Sequence, residues 1–120
     1  MTKTTYHETL KEKMDDYAHL IYSVSKSFPK EELYGITSQL RRATLSVILN
    51  YIEGYARMRE KVHQNFLEIS YGSLKESKYL LHFSMKEKYI NKDDYDKCIR
   101  LADVIGAMLW GIIKKMRLSN

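Results

Sequence analysis

Ile36-Thr37-Ser38-Gln39-Leu40-Arg41-Arg42-Ala43-Thr44-Leu45-Ser46-Val47-Ile48-Leu49-Asn50-Tyr51-Ile52-Glu53-Gly54-Tyr55-Ala56-Arg57-Met58 decides the fold class. Its apolar residues recur at steps of three and four, the spacing of one helix face, and never alternate as a strand would. One line is Ile36, Leu40, Ala43, Val47, Tyr51 and Tyr55; a second is Leu45, Leu49, Ile52 and Ala56. Between them run Gln39, Arg42, Ser46, Asn50, Glu53 and Arg57. A surface helix of a monomer needs one apolar stripe. Two stripes predict a helix that is central in its own bundle or faces a second subunit.

The same period continues on both sides. Upstream, Tyr6, Leu10, Met14, Tyr17, Leu20, Ile21, Val24 and Phe28 share a face, which predicts a helix from about Tyr6 to Ser27. Pro29 disfavours helical geometry in the residue before it and opens a new helical piece at Lys30-Glu31-Glu32. Downstream, Val62 to Lys88 carries two neighbouring faces. One is Phe66, Ile69, Ser73, Leu80 and Phe83; the other is Leu67, Tyr71, Leu74, Leu81 and Met85. The last helix is expected from Asp93 to Met116, with Asn91 as its cap and Asp93, Asp94 and Asp96 at its positive end. Its stripe is Tyr95, Ile99, Ala102, Ile105, Leu109, Ile112 and Met116, and Trp110 falls outside it.

Four helices joined by short links, such as Arg59-Glu60-Lys61, predict an all-α, antiparallel up-down-up-down four-helix bundle. With 120 residues the chain has room for one domain, 1–120. One Pro and five Gly are too few for the turns of a β-sandwich. The polar, mixed-charge start, Met1 to Leu10, does not read as a signal peptide. The longest apolar stretch, Val104 to Ile113, is half the length of a membrane span, roughly 20 residues. The expected setting is therefore the cytoplasm, with no membrane partner.

The chemistry-bearing residues do not gather. The single cysteine, Cys98, excludes an intrachain disulfide and a cysteine-based zinc site, and reads as a small buried hydrophobe. His7, His19, His63 and His82 include no pair at helical spacing for a metal. No glycine-rich phosphate loop exists. Gly72 and Gly106, inside helices, suggest close helix approach. Ser46, Asn50 and Glu53 share a face and read as a polar seam that fixes register or bonds across a subunit contact. No enzyme, metal or cofactor is expected.

The net charge of +5 allows attraction to nucleic acid or to an acidic protein face. Arg41 and Arg42 stand together on the second helix; Arg57, Arg59 and Lys61 cluster at its end; Lys114, Lys115 and Arg117 close the fourth. Helices two and four point the same way in such a bundle, so the last two clusters fall at one end and form a basic rim. The surplus apolar and seam residues Leu45, Leu49, Asn50, Ile52, Glu53 and Trp110 form the expected homo-oligomer interface.

Three stretches carry a family resemblance. They are Phe28 to Ala43, Asn50-Tyr51-Ile52-Glu53-Gly54-Tyr55-Ala56-Arg57, and Phe66 to Ser77. Together they resemble the bacterial four-helix-bundle family encoded in intervening sequences of 23S ribosomal RNA genes, the S23 ribosomal protein-like family. The accessory variability determinant of diversity-generating retroelements is a relative. Where members often carry Pro-Ser before the Asn, Ile48-Leu49 stand here, which predicts an unbroken second helix. The resemblance implies a homopentameric ring with a basic surface that binds RNA or DNA and a reverse transcriptase. On it, Arg41, Arg42 and Arg57 match basic positions, and Asn50, Glu53 and Gly54 match a polar segment. The reading that follows is a non-enzymatic, homo-oligomeric, nucleic-acid-associated module; the alternative is a protein-only scaffold or adaptor.

Overall fold

A computed structural model describes residues 5–119. Met1 to Thr4, part of the polar start, lie outside the described residues. Four helices run in chain order: α1, Tyr6–Ser25; α2, Ile36–Tyr55; α3, Glu60–Lys86; and α4, Lys92–Ser119. A single 3₁₀ turn, Lys30–Glu32, stands between α1 and α2 where Pro29 opens it. Each helix packs on its neighbours in the chain, and α1 closes on α4, which makes an antiparallel bundle. The long axis of 45 Å is set by α3 and α4, each roughly 40 Å at 1.5 Å per residue.

The helix ends have identifiable causes. Thr5 and Glu8 form a reciprocal capping box at the start of α1. Asn91 caps α4 through Oδ1, which accepts from the Asp94 N–H at 2.8 Å, as the sequence predicts. The third helix stops at Lys86, two residues earlier than its periodicity suggests. Lys88 has a left-handed φ of 65°, and the N–H groups of Lys88 and Tyr89 fold back onto the carbonyls of Met85 and Ser84. At the other link, Glu60 and Lys61 belong to the first turn of α3, so the connection is Ala56 to Arg59. Glu60 there meets the positive end of the helix dipole.

One continuous core runs through the bundle. Leu10, Met14, Tyr17 and Ile21 of α1 meet Leu40, Val47 and Tyr51 of α2, Leu67, Leu74 and Leu81 of α3, and Ile105, Leu109 and Ile113 of α4. The third helix layers its core at a spacing of seven: leucines at 67, 74 and 81, serines at 70, 77 and 84. Those serines are fully buried. Ser70 Oγ donates to the Val47 carbonyl of α2 at 2.6 Å, and Ser84 bonds back to its own helix at Leu80. Of the two faces expected on α3, the Leu67 face is the core; Ile69 and Phe83 of the other remain exposed.

The glycines correct one expectation. Gly72 is exposed, and a Cβ built there meets nothing within 4 Å, so no helix of the protomer crowds it. A Cβ at Gly106 would make ordinary contact with Leu74, 3.4 Å away. Gly54 is the site of close approach: a Cβ there would lie 3.1 Å from the His63 ring and 3.2 Å from Phe66 Cβ. The helical period places Gly72 on α3 but says nothing of how far the next chain segment stands.

The second apolar line of α2 stays outside the protomer's core. Leu49 is 59% exposed and Ile52 47%. Ala56 is exposed too, while Leu45 is half-buried. No helix among the described residues is long and apolar enough to cross a membrane.

Candidate nucleic-acid interface

The start of α1, the end of α2, the start of α3 and the end of α4 meet at one end of the bundle. They enclose a cleft of about 740 Å³ whose lining includes Tyr6, Tyr55, Arg57, His63 and Lys115. Arg57 of the α2 end and Lys115 of the α4 end thus share one cavity, the arrangement that parallel directions of α2 and α4 require. Arg59 and Lys61, at the entry to α3, and Lys114, one residue before Lys115, are exposed near this end.

Their electrostatic states differ. Arg57 pairs with Glu53 one turn back and lies over the Phe66 ring, 5.1 Å from its centroid. Arg117 reaches Glu68 of α3 at 3.4 Å. Among the described residues, no ion pair engages Arg59, Lys61, Lys114 or Lys115. These four carry positive charge that the protomer leaves uncompensated, the condition for capturing phosphates with release of counterions.

Arg41 and Arg42 stand apart from this rim, roughly 20 Å back along α2 at 1.5 Å per residue. Arg41 Nε donates to Ser25 Oγ at 2.8 Å, and its guanidinium lies 4.6 Å from the Tyr22 ring centroid. It therefore ties the end of α1 to α2. Arg42 is exposed on the same turn. The eight basic positions fall at two ends of the bundle and do not make one surface.

Inside the rim lies a cluster that sequence spacing does not show. His7 Nδ1 is 2.9 Å from the Tyr51 hydroxyl and 2.7 Å from that of Tyr55. Burial raises both phenol pKa values, so each hydroxyl keeps its proton. Tyr55 also packs edge-on against His63, with centroids 4.2 Å apart. His63 is held below its ordinary value, first by burial and then by the charge of His7, while Glu60 acts the other way. Among the described residues, His63 Nε2 is buried without a hydrogen-bond partner. No local motif joins His7 to Tyr51 or His63; only the meeting of α1, α2 and α3 does.

The polar seam is used within the chain. Ser46 Oγ bonds Ser73 Oγ of α3 at 2.7 Å, and the Asn50 amide donates back to Ser46. Asn50 and Glu53, expected at a subunit contact, thus have partners inside the protomer, whereas Leu49 and Ile52 beside them have open apolar surface. Trp110 is 39% exposed and packs on Tyr71 of α3. Cys98 is fully buried, and burial pushes its thiol up to about 12, which makes it inert. Among the described residues, no three His, Cys, Asp or Glu side chains converge as a metal-ligating set.

Comparison with known proteins agrees with the bundle. A crystal structure of a protein of unknown function from the S23 ribosomal protein family of Bacteroides thetaiotaomicron superposes with a TM-score of 0.85. It is 22% identical, and the match covers 92% of this chain and 99% of that one. At that identity the likeness speaks for the fold alone. No curated protein matches the chain. The family of 23S rRNA-intervening sequence proteins matches the chain over residues 8–111, nearly the whole bundle. The chain is therefore a member of the 23S rRNA-intervening sequence protein family.

Proposed function

We propose that this chain is a non-enzymatic, nucleic-acid-associated module that works as a homo-oligomer. The observation that carries the reading is the set of uncompensated cations at one end of the bundle: Arg59 and Lys61 at the start of α3, Lys114 and Lys115 at the end of α4. A ring of copies, five in the arrangement the resemblance implies, repeats that rim and makes its weak phosphate contacts multivalent. Structured RNA or DNA is the ligand class, and a reverse transcriptase is the protein partner that the retroelement relatives suggest. The family's tie to 23S rRNA intervening sequences supports a nucleic-acid setting without defining a role in the ribosome.

Replacing Arg57, Arg59 and Lys61 together by Glu tests this. Affinity for a structured RNA falls, and the log–log salt slope shrinks by roughly one for each phosphate that is no longer neutralised. Unchanged affinity in that variant overturns the reading. The exposed Leu49 and Ile52 favour a second reading, a protein-only scaffold that assembles through α2. Failure of the wild-type chain to retain any nucleic acid at low salt selects it.

A further inference from the structure

Away from the α2 stripe, the face shared by α3 and α4 carries an aromatic pair at the edge of the core. The rings of Tyr71 and Trp110 stand 5.6 Å apart with a tilt of 38°. Trp110 lies outside the buried line of Ile105, Leu109 and Ile113 and keeps 39% of its surface exposed. Ala107 and Gly106, one turn before it, and Ala102, two turns before it, are small, and they leave a groove of about 160 Å³ beside the rings. The ion pair of Lys78 with Asp103, at 2.6 Å, adjoins the same groove.

Cations surround the pair. Lys75 Nζ sits 5.2 Å from the Tyr71 centroid, and the Arg117 guanidinium 5.1 Å from that of Trp110. Lys114 is one turn beyond Trp110 on the same helix face. Of these, Arg117 has Glu68 as a partner, and among the described residues neither Lys75 nor Lys114 is paired with an acid. An apolar protein partner would gain nothing from bare lysines at the edge of its contact. A planar ring flanked by phosphates uses both features: the aromatic faces take the ring, and the cations take the charge.

We propose that Tyr71 and Trp110 form a stacking platform for an unpaired base of a single-stranded nucleic acid, with Lys75 and Lys114 meeting its flanking phosphates. The proposal rests on the nucleic-acid reading above and adds the strand state of the ligand. Bases of an intact duplex are already stacked on one another and are not offered to such a platform.

Trp110 is the only tryptophan of the chain, so its emission reports this site alone. The full-length protein is titrated with four probes: a short unstructured RNA, the DNA of the same sequence, the corresponding duplex, and an abasic strand with the same number of phosphates. Tryptophan emission and the anisotropy of an end label are read together. Both single strands quench the emission, because the base is the shared element; the duplex and the abasic strand do not. Trp110→Phe retains affinity for the single strands, and Trp110→Ala weakens it by roughly tenfold with unchanged helicity. If single strand, duplex and abasic strand all bind with the same salt dependence and none quenches, the platform is refuted while the basic rim stands. If no probe binds at low salt, both fail. Emission that shifts with protein concentration alone places Trp110 between copies of the chain and overturns the proposal.

Discussion

The Tyr17 hydroxyl and Ser77 Oγ meet at 2.8 Å across the diagonal of the bundle, joining α1 to α3 through the centre of the core. Ser77 also donates to the Leu74 carbonyl at 2.7 Å, so the serine can direct its proton along its own helix while accepting from the phenol. Burial raises the Tyr17 pKa and keeps it a donor. Ser77→Ala strands that buried hydroxyl and is expected to destabilise by about 1–3 kcal/mol in urea unfolding. Tyr17→Phe leaves Ser77 bonded to Leu74 and costs less. The double variant lies closer to Tyr17→Phe than to the sum of the two changes; strict additivity would show that the bond is not formed.

Gly54 and Gly72 give opposite results on replacement by Ala. At Gly54 the new Cβ presses on His63 and Phe66 across the α2–α3 contact. A destabilisation of about 1–3 kcal/mol is expected. At Gly72 the Cβ enters open space in the middle of a helix. Helix propensity then stabilises the protomer by about 0.5–1 kcal/mol. Thermal midpoints measured side by side check the signs, and a stabilised Gly54→Ala would show that α2 and α3 are not so close.

Stability should fall in mildly acid solution because of His63. Its folded pKa lies below the ordinary 6.5, so the folded state favours the neutral ring. The contribution is whole above pH 6.5 and is lost as pH falls from there through the lower folded value. The charge of His7 deepens the depression of the His63 value, and Glu60 opposes it. Denaturant midpoints taken between about pH 8 and about pH 4.5 should decline, and His63→Gln should flatten part of the decline. An equally steep curve in the variant would assign the acid sensitivity elsewhere.

Leu49 and Ile52 point their apolar surface away from the protomer's own core. If copies assemble through α2, Leu49→Glu dissociates them without disturbing helix content. Sedimentation velocity together with far-ultraviolet circular dichroism reads both quantities. A wild-type chain that sediments as a single protomer at all concentrations would end the oligomer proposal.

The four helices and most of the faces they bury were legible in the residues, although α2 ends at Tyr55 rather than near Met58 and α3 at Lys86 rather than Lys88. The step of three and four in Leu10, Met14, Tyr17 and Ile21 marks a core face whatever it packs on, because it depends only on helical geometry. Pro29 and Asn91 act on the backbone within a few positions, and both boundaries follow. The surplus stripe of Leu49 and Ile52 is likewise local in origin. The shared end of Arg57 and Lys115 needs only the count of helix reversals, which the short links supply.

Other features depend on distances between helices, which periodicity does not contain. His7 reaches Tyr51 and Tyr55 from 44 and 48 positions away. Tyr71 finds Trp110 across the α3–α4 groove, and Gly54 rather than Gly72 proves to be the crowded glycine. Each outcome turns on how closely two helices approach and which turns stand level. That is set by the size of side chains on both partners at once. A helical period fixes the angle of a residue about its own axis; only packing fixes what it meets there.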